Sequence, residues 1–254
     1  TGAAPPQKGI ATCTPGAKRL ALNPSFPARC LLSTKRPKAP KTAKPAGSKP
    51  AAPKPARQCV LVLGMHRSGT SVITQLIGIA GAKMPRELLG SNDSNPLGHY
   101  EPLWMIARDE RLLNDLGTTW DEWSRLDLAD APHDVMAGYV SDLRSFVQEE
   151  MGKDPLLVLK EPRTCRLLPP ILRALKADKI EPLIVIPYRN PLEVAGSLQA
   201  RDHMSLREGV LLWLRYVLDA ERDSRGCKRS FISYDGLFDD WRRDFQRMSK
   251  DLEI

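Results

Sequence analysis

The run Gln58-Cys59-Val60-Leu61-Val62-Leu63 leads straight into Gly64-Met65-His66-Arg67-Ser68-Gly69-Thr70-Ser71. Unbroken apolarity rich in β-formers predicts a strand covered on both faces. The segment Gly64 to Gly69 predicts a turn. Residues 70–80 then follow a helical pattern, with Val72, Leu76 and Ile79/Ala80 along one side. Strand, tight loop and helix form the unit from which parallel sheets with crossover helices are built.

The same unit recurs. Leu156-Leu157-Val158-Leu159 ends at Lys160-Glu161-Pro162-Arg163, and a helix follows with Leu167, Leu168, Ile171, Leu172 and Leu175. Leu183-Ile184-Val185-Ile186-Pro187-Tyr188 ends at Arg189-Asn190-Pro191, where Pro191 suits the first turn of a helix. Residues 206–222 predict another helix, with Val210, Leu211, Leu214, Val217 and Leu218 as its buried side. Residues 230–234 form a fourth short strand, after which Asp235 is placed to cap a helix. Residues 100–116 and 134–151 read as amphipathic helices between the first two strands. The expected fold is α/β: a three-layer sandwich with a mostly parallel sheet and a P-loop-like phosphate-binding loop.

Charge divides the chain. Residues 1–59 hold twelve of the 38 Lys/Arg, none of the 30 Asp/Glu and 11 of the 22 prolines. Residues 1–57 are therefore expected to be a disordered, Lys/Pro/Ala-rich basic tail or linker, with residues 58–254 as the folded domain. The formal charge of +8 sits on the tail, and the remainder is near −4. The basic balance is thus no evidence for a nucleic-acid-binding domain, and none is expected as a partner. No apolar run approaches the ~18 residues of a membrane span. The five cysteines (Cys13, Cys30, Cys59, Cys165, Cys227) form no CxxC pair. That pattern favours a reduced compartment, and cytoplasmic localisation is the expectation.

In open parallel sheets, ligands sit beyond the carboxyl ends of the strands. The three polar clusters following the strands supply Arg67, Lys160, Arg163 and Arg189 to that edge. Together with a helix N-terminus they predict a polyanion site. Gly64 and Gly69 have P-loop spacing, yet Thr70 stands where a nucleoside triphosphatase carries lysine. Arg67 supplies the cation instead, and Ser68, Thr70 and Ser71 add hydroxyls.

Arg67-Ser68-Gly69-Thr70-Ser71 after an apolar strand resembles the 5′-phosphosulfate loop of sulfotransferases that use 3′-phosphoadenosine 5′-phosphosulfate (PAPS). Tyr188 to Ser197 resembles the family's second signature, in which an Arg after a strand and a Ser eight residues on bind the 3′-phosphate. Those residues are Arg189 and Ser197 here. Ser233-Tyr234-Asp235-Gly236-Leu237 is similar to a strand-end segment of the family. Asn95-Pro96-Leu97-Gly98-His99-Tyr100-Glu101 and Leu159-Lys160-Glu161-Pro162-Arg163 look like its bacterial, carbohydrate-type branch. The resemblance covers residues 58–245. One departure is the glycine-rich nucleotide loop with a Lys that small-phenol members carry near their C-terminus, which is not seen before Ile254.

The resemblance implies PAPS as donor, PAP as product and a hydroxyl acceptor, carbohydrate by preference, with no metal. His66, Arg67, Ser68, Gly69, Thr70 and Ser71 would hold the 5′-phosphate, and Arg189 and Ser197 the 3′-phosphate. Arg67 and Lys160 would meet the charge of the leaving phosphate. Glu101 is the first candidate base, His99 the second and Glu87 the third. His66 is expected to shape or line the pocket. Glu101 also has a structural reading, as a helix cap before Pro102. Trp104, Trp120, Trp123 and Trp213 are candidates to line a sugar-binding cleft; Trp120-Asp121-Glu122-Trp123 is a candidate acceptor entrance, and Trp213 reads as core. Two other readings stay open: a P-loop small-molecule kinase, and a non-catalytic anion-binding protein of the same fold. Oligomeric state is not legible.

Overall fold

The computed structural model describes residues 57–92 and 95–254. The expected basic tail lies outside the described residues apart from Arg57, whose carbonyl accepts from the Glu181 amide at 2.8 Å. Four strands, β1 (Gln58–Val62), β2 (Leu156–Leu159), β3 (Glu181–Tyr188) and β4 (Lys228–Ser233), form one sheet in the order β2-β1-β3-β4. All three pairings are parallel. Among the described residues, seven helices accompany them: α1 (Thr70–Ile79), α2 (Leu103–Asp115), α3 (His133–Met151), α4 (Thr164–Ala177), α5 (Pro191–Asp202), α6 (Leu206–Asp223) and α7 (Tyr234–Leu252).

The apolar strands bury both faces because successive side chains point to opposite sides. Cys59, Leu61, Leu159, Ile184 and Ile186 join one core with α2 to α6. Val60, Val62, Val158, Leu183 and Val185 join a second with α1 and α7. The result is three layers. Pro187 is tolerated in a central strand because the β1 register ends at Val62 opposite Val185, while Pro187 still pairs with Ile232 of β4.

Two helix faces differ from the sequence expectation. Helix α1 buries Thr70, Ile73, Thr74 and Ile77, whereas Ile79 is largely exposed. The Thr74 hydroxyl donates to the Thr70 carbonyl at 2.9 Å, which satisfies it inside the core. Helix α6 buries Gly209, Leu212, Tyr216, Asp219 and Ala220, leaving Leu214 and Leu218 exposed. Gly209 fixes that face: a Cβ there would stand 2.9 Å from Ala195 of α5. Asp219 is buried because Arg215 and Arg166 reach it, at 2.8 and 3.6 Å. Hydrophobicity alone points the helix the wrong way, since it cannot register paired polar groups. At the last strand, Ser233 caps α7, accepting from the Gly236 amide, and not Asp235. Among the described residues, no helix is long and apolar enough to cross a membrane.

Candidate active site

The carboxyl ends of β1, β2, β3 and β4 bring the polar clusters to one edge. After β1 the chain turns through Arg67 and Gly69, both with positive φ (70° and 85°). Gly69 is required twice over. A side chain there would be strained, and its Cβ would lie 2.3 Å from the Tyr234 ring. Gly64 is similarly confined, since a Cβ there would stand 2.8 Å from Thr70 Cγ2 and 3.0 Å from Pro187 Cγ. Gly69 is the N-cap of α1, and no side chain caps it. The first amides of α1 are therefore left to a ligand or water, at the positive end of the helix.

Arg67 leaves this loop and donates from Nε to Ser197 Oγ at 2.8 Å. Arg189 returns the contact, donating to the Arg67 carbonyl at 3.1 Å. The Arg189 guanidinium lies 4.2 Å from the Tyr234 ring centre and also pairs with Glu193 at 2.8 Å. Burial, with Arg201 and Arg189 nearby, lowers the Arg67 pKa from its usual range. The two signatures separated in sequence are thus one assembly, in which Arg67 stands with the Arg189/Ser197 pair.

Lys160, at the end of β2, is buried and ion-paired with Glu101. Its ammonium also donates to the His99 carbonyl at 3.0 Å and contacts Ser71 Oγ at 3.4 Å. These three acceptors match its three protons. Burial lowers the Lys160 pKa, and the Glu101 charge opposes that shift. A short antiparallel clasp places this group: Leu89 N donates to the Glu101 carbonyl at 2.7 Å, and His99 N to the Leu89 carbonyl at 3.3 Å. Asn95 ties the preceding turn down, donating to the Gly98 carbonyl at 2.7 Å and to Ser71 Oγ at 3.3 Å. Glu101 does not cap α2. Pro102 is the N-cap and no side chain bonds there.

A cavity of about 280 Å³ joins these parts. Of the sequence candidates, His66, Arg67, Gly69, Thr70, Ser71, His99, Glu101, Lys160 and Arg189 line it. Ser68 is buried outside the lining, its hydroxyl without a partner. Ser197 stands behind Arg67, held to it by the hydrogen bond. Glu87 is exposed and outside the lining. Arg163 leaves the expected cationic cleft because Glu161 and Glu110 hold its guanidinium. Trp104 stacks on Phe146 at 4.4 Å and belongs to the core, and Trp213 also packs against it. Trp120 meets the His66 ring edge at 5.0 Å, and Trp123 is 45% exposed.

Sequence reasoning missed Arg201, Tyr234 and Phe238 as cavity residues. Arg201 lies one helical turn beyond Ser197, and Phe238 one turn beyond Tyr234. The i,i+4 rule extended from the recognised residues would have found Arg201. Tyr234 and Phe238 also contact each other, with ring centres 5.1 Å apart. The lining holds four strong cations, Arg67, Arg189, Arg201 and Lys160, against one carboxylate, Glu101.

No protein-family model and no curated protein matches the sequence. The structure is similar to a sulfotransferase domain from the curacin biosynthetic pathway, with 16% identity and a TM-score of 0.45 over 79% of this chain and 75% of that one. It is also similar to a sulfotransferase domain from the Synechococcus PCC 7002 olefin synthase, with 19% identity and a TM-score of 0.47 over 82% and 76% of the two chains.

Proposed function

We propose that this chain transfers a sulfuryl group from PAPS to a hydroxyl acceptor, with carbohydrate as the preferred acceptor class. The observation that carries this reading is the excess of cations in the cavity lining of a body that is itself acidic. Such a site suits a ligand with several negative charges. The orphaned polar atoms fit the same group. Ser68 Oγ and His99 Nε2 are buried without hydrogen-bond partners near an uncapped helix N-terminus.

Bound PAPS supplies an activated sulfuryl group on a phosphate leaving group. The loop amides and the Thr70 hydroxyl would hold its 5′ end, beside Ser71, whose hydroxyl donates to the His99 carbonyl at 3.1 Å. Arg189 and Ser197 hold the 3′-phosphate, with Arg67 bridging toward the loop. Lys160, whose protons are committed to Glu101, the His99 carbonyl and Ser71, would contribute its positive charge near the leaving phosphate, and Glu101 keeps the buried ammonium in place. That pairing withdraws Glu101 from base duty and leaves an imidazole, His66 or His99, to receive the acceptor proton. Phe238, 72% exposed at the cavity wall, would be available to pack against the purine. Thr70 replaces the lysine of a kinase loop, and the one carboxylate of the lining is committed to Lys160. Both features favour a metal-independent sulfuryl donor over magnesium ATP.

Equilibrium binding tests this reading. PAP is expected to bind without magnesium at micromolar Kd, and Arg189→Ala to weaken it at least tenfold, or about 1.4 kcal/mol. ATP binding that requires magnesium, with no PAP binding by the folded protein, would replace it with the kinase reading.

A further inference from the structure

His66 stands beside Arg67 in the anion loop and lines the cavity; its part in donor binding is that of its backbone amide, which leaves the imidazole for another role. Its Nε2 is buried without a hydrogen-bond partner. Aromatic neighbours hold the ring. Trp120 meets it edge-on with ring centres 5.0 Å apart, and the Tyr216 ring is at 6.5 Å. Trp120 is itself anchored, since its carbonyl accepts from the Tyr216 hydroxyl at 2.7 Å. Arg166, almost fully buried, pins the same loop by donating to the carbonyls of Glu122 and Ser124 at 2.5 and 2.7 Å. The imidazole is therefore held in one place, at the cavity, with Nε2 unclaimed.

The alternatives are more committed. Glu101 is ion-paired with Lys160. His99 also has a buried, unpartnered Nε2, but only 8% of the residue is exposed, and its carbonyl anchors Lys160. His66 as a residue is part-exposed, although its Nε2 is as buried as that of His99.

The reading of sulfuryl transfer is taken as the basis for the next step. We propose that His66 is the proton acceptor for the acceptor hydroxyl. The acceptor O–H bond breaks, and its proton passes to a free ring nitrogen of His66. The acceptor oxygen bonds to sulfur as the bond from sulfur to the 5′-phosphate oxygen breaks, and that electron pair leaves on the phosphate. The imidazolium returns its proton to water after product release.

The charges around the ring give this step a condition. Burial first, then Arg201 from α5, Arg163 and Lys160 from the segment joining β2 to α4, and His99 hold the imidazole well below its usual range. It is neutral and ready to accept, but weakly basic. A polyanion in the cavity offsets those cations and raises its proton affinity. Donor binding thereby strengthens the base when an acceptor can be used.

Proton-linked binding tests this without an identified acceptor. The chain has four histidines, so four ring signals can be followed by NMR. Saturating PAP is expected to raise the titration midpoint of the His66 signal by about one unit or more. Calorimetry in buffers of different ionisation enthalpy should show proton uptake on PAP binding, absent in His66→Asn and retained in His99→Asn. PAPS hydrolysis with water as acceptor should fall at least about tenfold in His66→Asn, a larger factor than any loss of PAP affinity. Should His66→Asn fail to fold, the signal is assigned in the wild type by substituting His99, His133 and His203 in turn. Uptake that survives His66→Asn and disappears in His99→Asn, or a His66 signal unmoved by bound PAP, overturns the proposal while leaving sulfuryl transfer standing. Absence of PAP binding by the wild type overturns both.

Discussion

Arg67 Nε donates to Ser197 Oγ at 2.8 Å, joining the loop after β1 to the middle of α5 across 130 residues of chain. The bond aims a guanidinium that leaves the loop from a backbone position with positive φ. Ser197→Ala removes the acceptor without adding bulk. It is expected to weaken PAP binding about three- to tenfold, near the ~1 kcal/mol of one hydrogen bond. The same change in Arg67→Ala protein should have a smaller effect, because the two residues act as one unit. Isothermal titration of the two single variants and the double variant reads the coupling directly.

Gly69 and Tyr234 are packed so closely that the loop tolerates no Cβ at 69. Gly69→Ala is expected to lower stability by about 2–4 kcal/mol, combining positive-φ strain with steric overlap. Gly69→Ala in a Tyr234→Ala background should recover the steric share and keep the strain. Urea unfolding of all four proteins gives that partition. An equal loss in both backgrounds would show that Tyr234 is not the obstacle.

Glu101 and Lys160 are both buried, so removing one charge strands the other. Glu101→Gln alone should cost roughly 3–5 kcal/mol. Glu101→Gln with Lys160→Met should be more stable than either single variant. Chemical denaturation at neutral pH decides it, and strict additivity of the single losses would contradict a paired role.

Asp109 is fully buried with Tyr139, whose hydroxyl donates to its Oδ1 at 2.6 Å. Asp109 Oδ2 and Glu161 Oε2 are buried without a hydrogen-bond partner, and burial also holds the Glu161 carboxyl well above its usual range. Burial raises Asp109 to about 6, above its unfolded value of 3.8. The native state therefore holds the Asp109 proton more tightly than the unfolded chain, and its contribution to stability falls as pH rises from about 4 through about 6. Asp109→Asn mimics the protonated form. Relative to wild type it should gain on the order of 1–3 kcal/mol between pH 4.5 and 7.5. A stability difference that stays flat over that interval would remove Asp109 as the titrating group.

The strands are legible in the sequence because full burial of a parallel sheet leaves an unbroken apolar run, as at Val60–Val62 and Leu183–Ile186. The loop between β1 and α1 is legible because Gly64, Ser68, Gly69, Thr70 and Ser71 fall within eight residues directly after an apolar run. The buried side of α6 is not, because it is set by the Gly209–Ala195 approach and the Asp219 ion pairs, neither of which has a periodic signature. Arg163 is misplaced by sequence reasoning for a related reason. A cation after a strand can reach the cavity, but Glu110 and Glu161 hold this one elsewhere.

By itself, then, the sequence determined the strand–loop–helix units, the edge at which their polar ends meet and most of the residues there. Those are local properties of burial, backbone freedom and residue order. Tertiary structure alone decided which polar groups claim one another: Arg67 with Ser197, Lys160 with Glu101, and His66 among aromatic rings with its Nε2 free. Such pairings depend on distances between side chains many residues apart, and packing of the helices against the sheet sets those distances.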